Sequence, residues 1–259
     1  MRTSSVRRTA LAASVAALAL LVTACGGSGD DQDKADEGKG ASAASGAPAE
    51  ALTAADLEKA ALAQSDVKSG KVATKLPATD DVAAGKVKTE DAACLPLARA
   101  QAAVAQGEPA ASVKRSWTGD PVKPSADTKP EDALMAALDV DKALINLASY
   151  DGDGAEQAMK GLAAAAEKCV GGYKATVVGE PMDVVKVATT AAPEGGDEGA
   201  AVTLTVAADE GVEAPNKIVV VRKGATVVTF SAVNLAAMAT GEDFEVPADV
   251  VAAQVGKLG

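Results

Sequence analysis

Histidine is absent from this chain, and aromatic rings are scarce, at one Trp, two Tyr and two Phe in 259 residues. Positive charge is in deficit too, with 25 Lys and Arg against 36 Asp and Glu and a formal net charge of −11. Without histidine there is no His-based triad, no common zinc site and no ordinary proton shuttle near neutral pH. A nucleic-acid surface needs clustered positive charge and stacking rings, so the acidic, ring-poor composition excludes nucleic acid as a partner. Only three cysteines occur, at 25, 94 and 169, and no CxxC pair is among them.

The N-terminus is what stands out instead. Arg2, Arg7 and Arg8 precede an apolar run from Ala10 to Val22, which is followed by small residues and a cysteine. That order of basic, apolar and small segments predicts an export signal over residues 1–24. The run is Ala-rich and shorter than the roughly 20 apolar residues a membrane span requires. Leu21, Val22, Thr23, Ala24 and Cys25 resemble the lipobox of bacterial lipoproteins, which implies that the Cys25 sulfur carries diacylglycerol. Two acyl chains, palmitate or similar, give lasting attachment where one gives only marginal binding. Arg7 and Arg8 are followed by Thr9, Ala10 and Leu11, which fits ordinary Sec export better than the twin-arginine pattern.

Taking Arg2, Arg7 and Arg8 from 25 basic residues leaves 22 against 36 acidic ones, a net charge of −14 after cleavage. Asp30, Asp31, Asp33, Asp36 and Glu37 lie among Gly, Ala and Ser, so residues 25–50 are expected to form a lipidated, disordered tether. The folded domain is expected over residues 51–259.

Within that domain Thr53 and Asp56 mark a helix start, with Leu52 and Leu57 as a hydrophobic staple. Lys71 to Leu76 is expected to hold a short strand, Glu90 to Gln106 a helix with Pro96 in its first turn, and Ser112 to Thr118 a strand. Glu131 to Tyr150 is compatible with helix or strand, and a strand is expected from Asp139 to Ser149. A helix follows from Ala155 to Cys169. Beyond it, β-branched runs predict strands at 175–178, 182–190, 200–207, 217–222 and 225–231, with Lys223 and Gly224 as a hairpin turn. Pro247 opens a last helix. Consecutive strands joined by tight turns imply an α+β fold: a twisted antiparallel sheet with helices packed mainly on one face.

With Cys25 assigned to lipid, Cys94 and Cys169 form an even pair in an oxidising compartment, where a structural disulfide is the expected outcome. No catalytic or metal site and no cofactor is expected. Asp151 and Asp153 lack the continuation of a calcium loop, since Ala155 and Glu156 stand where a ligand and a glycine would be needed. Ser69 with Lys68 and Lys71 lacks the SxxK spacing, and the pairs Asp80 with Asp81 and Glu242 with Asp243 sit in polar stretches. Trp117 is expected in the core, with a binding cleft as the alternative.

The order of lipobox, spacer, Leu-Thr-Ala-Ala-Asp-Leu helix, Cys94, Trp117 strand, Tyr150, helix ending at Cys169 and β-rich tail resembles the extracellular sensor-like domain of PknH-type actinobacterial receptor kinases. That resemblance implies an antiparallel sheet bounding a cleft, and ligand binding in place of catalysis. The family's second disulfide has no cysteines here, and no ligand residue is carried over. The leading expectation is a non-catalytic binding or sensor-like module anchored on the outer face of the cytoplasmic membrane. An envelope scaffold binding a protein partner is the alternative, and a carboxylate-based hydrolase the third reading.

Overall fold

The computed structural model describes residues 50–125, 127–208 and 211–258. The export signal, Cys25 and the tether lie outside the described residues. Nine strands form one sheet in the order β1-β3-β4-β9-β8-β7-β6-β5-β2. They are β1 Lys71–Ala73, β2 Val87–Thr89, β3 Ala111–Thr118, β4 Asp141–Ser149, β5 Tyr173–Val177, β6 Glu180–Thr190, β7 Glu198–Ala207, β8 Glu213–Lys223 and β9 Thr226–Asn234. All neighbouring pairs are antiparallel. Both edge strands are three residues long, so each edge offers few unpaired backbone groups to another chain.

Among the described residues six α-helices accompany the sheet: α1 Ala54–Ala60, α2 Leu95–Gln101, α3 Pro130–Leu138, α4 Gly154–Lys168, α5 Leu235–Thr240 and α6 Ala248–Gly256. The α+β class, the antiparallel sheet and the disulfide expected from the sequence are all present. Strand alternation sends Ala148, Val202, Leu204, Ile218 and Val220 to one face, where α2 and α4 cover them. Helix α4 buries Ala155, Ala158, Met159, Leu162, Ala165 and Ala166, a helical stripe facing the sheet. Ile145, Leu147, Val219, Val221 and Phe230 face the other way. Leu57 of α1 and Val250, Val251 and Val255 of α6 pack over them. Helical cover is therefore fuller than the one-sided layer read from the sequence.

Polar anchors fix these layers. Gln254 in α6 is fully buried; its Oε1 accepts from the Leu62 amide at 2.7 Å and its Nε2 donates to Ala60 O at 2.9 Å. The buried Arg115 of β3 donates to Leu62 O at 3.2 Å and to the Glu58 carboxylate. Two groups thus satisfy the backbone where α1 ends. Cys94, at the entry to α2, is bonded to Cys169, at the end of α4, with Cα atoms 5.9 Å apart.

Several boundaries differ from expectation. The helical stretch from Glu90 is a 3-10 turn, Ala92–Cys94, followed by a short α2, which ends as Ala103 turns to φ +47° and Val104 N donates back to Arg99 O at 2.8 Å. Glu131 to Tyr150 contains both candidate structures, α3 and then β4. Lys223 pairs with Thr226, so the β8–β9 turn is Gly224–Ala225, one residue later than read. β2 and α5 were not anticipated at all.

Candidate functional site

A cleft of about 850 Å³ lies on the α2 side of the sheet, towards the end formed by β5 and the edge strand β2. Its floor comes from β8 and β7, through Asn216, Ala214 and Val206. The β5–β6 hairpin supplies one wall with Val177 and Met182, and the others come from Gln101 at the end of α2 and Met238 of α5. A smaller hollow of about 230 Å³ shares Gln101, Met182, Asn216 and Val233 with it and extends over Leu144 of β4. Two methionines in the lining give adaptable apolar surface, since an unbranched thioether side chain re-packs easily.

The polar side chains between the walls of the cleft are uncharged, chiefly Gln101 and Asn216. Asn216 and Ser231 hydrogen-bond each other at 3.2 Å across β8 and β9. Gln101 directs Nε2 at Met182 Sδ, 3.0 Å away, while its Oε1 is shielded from solvent with no partner among the described residues. Turning the amide over would only exchange which end is unpaired. A shielded polar atom without a partner costs stability, and at a cavity wall it is a group that a ligand can satisfy. Charge is confined to the rim, where Lys88 and Lys174 meet Glu90, Glu180 and Asp183. The arrangement can enclose an apolar molecule and offer it one or two neutral hydrogen bonds.

The residues singled out in the sequence lie elsewhere. Trp117 is 5% exposed in the core on the opposite face, and its Nε1 donates to Ser69 O at 3.0 Å. Gly70 makes this close approach possible, because a Cβ there would stand 2.5 Å from the indole nitrogen and the backbone φ is +75°. Ser69 therefore serves through its carbonyl. Asp153 stands at the N-cap position of α4 without a side-chain cap bond, and its Oδ2 accepts from Gln157 Nε2 at 2.8 Å. Asp80 and Asp81 tie their loop to the sheet through Lys142 at 2.6 Å and Lys114 at 3.2 Å. Asp243 pairs with Lys217 at 2.9 Å, and that hydrogen bond holds its carboxyl below the usual range. Among the described residues no group of three or more Cys, Asp and Glu could hold a metal ion. Cys94 and Cys169 are brought together; Cys25 lies outside the described residues.

What the sequence did not reveal is the lining itself. Gln101, Met182, Asn216 and Met238 converge only through strand order and helix packing. A signal existed for α5 alone: Asn234 caps it by accepting from the Ala237 amide at 3.0 Å, and Gly241 ends it, a start-and-stop pair around an Ala-rich segment.

No protein-family model and no curated protein matches the chain. Among solved structures it is similar to the extracellular domain of PknH from Mycobacterium tuberculosis, at 13% identity over 81% of this chain and 97% of that one, with a TM-score of 0.48. No residue or ligand is carried over from that likeness.

Proposed function

We propose that this chain is a lipid-anchored, extracytoplasmic binding module that holds a small, largely apolar and uncharged ligand in the cleft between α2, α5 and the β5–β8 part of the sheet. The observation that carries the reading is the cleft itself, with Met182 and Met238 on separate walls and the unpaired Gln101 Oε1. Support for the location comes from the export signal and the lipobox-like residues up to Cys25. A disulfide between Cys94 and Cys169 suits an oxidising compartment. In this reading the domain binds and does not catalyse, because the residues that line the cleft offer hydrogen bonds and apolar area but no activated nucleophile.

Fluorescence titration with Nile red, an uncharged apolar probe, tests the reading. The full chain should show saturable binding at one site, and Gln101→Trp, which fills the cleft, should abolish it. Binding that does not saturate, or that Gln101→Trp leaves unchanged, would remove the basis for the proposal.

A further inference from the structure

Of the three arginines that follow Cys25, two are paired: Arg115 with Glu58, and Arg222 with Glu198 at 3.1 Å and Asp197 at 3.5 Å. Arg99, on α2, is different. Its side chain makes no hydrogen bond and no ion pair among the described residues, and its Nε is shielded from solvent without a partner. Arg99 as a whole is partly exposed, so Nε is the donor denied both water and a partner. The side chain is always charged, and no carboxylate among the described residues pairs with it although acidic residues outnumber basic ones.

Arg99 lines a second cavity of about 420 Å³ between α2 and α4, which shares no lining residue with the cleft described above. The neutral polar side chains of this cavity are already engaged. Tyr150 Oη donates to Gln106 O at 2.9 Å, Gln106 Nε2 donates to Pro96 O at 3.0 Å, and Gln157 binds Asp153. Burial pushes the Tyr150 phenol up to about 12, so it stays neutral and offers no countercharge. Glu108 is the acidic residue of the lining, and it forms no ion pair with Arg99. The guanidinium is therefore left to recognise something from outside the chain.

We infer that the cavity between α2 and α4 is a binding site for a small monocarboxylate with a short aliphatic tail, held by Arg99. The planar fork of a guanidinium matches the two oxygens of a carboxylate. Glu108 at the same cavity repels a doubly charged phosphate more than a single charge, which favours a monoanion. Leu95, Pro96 and Ala158 form apolar wall, and Gly161 leaves space for the tail, since a Cβ there would meet no atom within 4 Å.

Calorimetric titration of the full chain in non-ionic detergent at neutral pH, with hexanoate, 1-hexanol and hexyl phosphate as probes, decides the matter. Hexanoate should saturate one site, with hexanol weaker by about 10-fold or more, the scale of a lost charge-assisted hydrogen bond. Arg99→Gln should weaken hexanoate to the same degree, with Arg99→Lys in between. Gly161→Leu fills the cavity without touching Arg99, so it should also abolish binding, and it decides the outcome if Arg99→Gln does not fold. Gln101→Trp, which blocks the other cleft, should leave hexanoate binding unchanged. Absence of saturable hexanoate binding, equal binding by Arg99→Gln or Gly161→Leu, or tighter binding of hexyl phosphate would overturn the assignment.

Discussion

Val178 has a backbone φ of +54°, a region in which a β-branched residue is strained. It opens the two-residue turn between β5 and β6 with Gly179 at φ +93°, so both turn residues are left-handed. Turns of that kind favour Asn followed by Gly. The side chain of Val178 is half exposed and its amide donates to Lys86 O at 2.9 Å, a bond any residue could make. Val178→Asn should therefore stabilise the domain by about 1 kcal/mol, read as a higher urea midpoint at unchanged slope. No gain would mean that Val178 packing offsets the strain. The same position shows why some detail was hidden in the sequence: with Val where Asn would advertise a tight turn, the two strands of the hairpin that walls the cleft are legible but the two-residue turn between them is not. Gln101 is hidden for a different reason, since nothing in its neighbours tells which of its amide atoms lacks a partner.

Elements are held to one another by a few long-range links, and two of them make measurable claims. The disulfide joins the entry of α2 to the end of α4 across a sequence separation of 75. On the chain-entropy account, closing that loop is worth about 4 kcal/mol. The double variant Cys94→Ser with Cys169→Ser should lose that much in urea denaturation and should also loosen α2, which carries both Gln101 and Arg99. A loss under about 1 kcal/mol would show that helix packing alone fixes α2. The second link ties the 3-10 turn Gln64–Asp66 to the end of α6: Lys257 Nζ lies 2.6 Å from Asp66 Oδ2, which also accepts from the Ala63 amide at 2.8 Å. The Lys257 bond first, and the amide second, hold the Asp66 carboxyl below its ordinary value of 3.8. A depressed carboxyl contributes stability that is present above the unfolded value and is lost as pH falls through the folded one. Stability should thus decline below about pH 4, and Asp66→Asn should start lower at pH 7 and decline less on acidification. An identical pH profile for the variant would show that the pair contributes nothing. At this scale the sequence was informative where periodicity was strong. The β-branched runs after Gly171 gave five of the nine strands, and the Ala155 stripe gave α4. It was silent on β2, whose three residues Val87–Thr89 are strand only because β5 lies beside them.

For the molecule as a whole, the two core clusters among the described residues draw on side chains from Leu52 to Leu258. The proposed anchor rests on a short contiguous motif, whereas the cleft needs residues from Lys88 to Met238 brought together by sheet order. That difference follows from locality: an export signal is read as a linear segment, and a cavity exists only after folding. Net charge then discriminates between modes of attachment. A chain cleaved before Cys25, as proposed, would carry 22 basic and 36 acidic residues and be repelled by an anionic leaflet, and the acidic segment follows soon after Cys25. Under the proposed lipid anchor, retention on membranes rests on acyl chains and is insensitive to salt. Washing membranes with about 1 M salt, which shortens the screening length to about 3 Å, should release none of the protein, while a non-ionic detergent should release all of it. The extracted chain should begin at Cys25, exceed its polypeptide mass by a diacylglyceryl group and lack two hydrogens at Cys94 and Cys169. Release by salt, or an intact N-terminus that still carries Arg2, Arg7 and Arg8, would replace the lipid anchor with an electrostatic or uncleaved one.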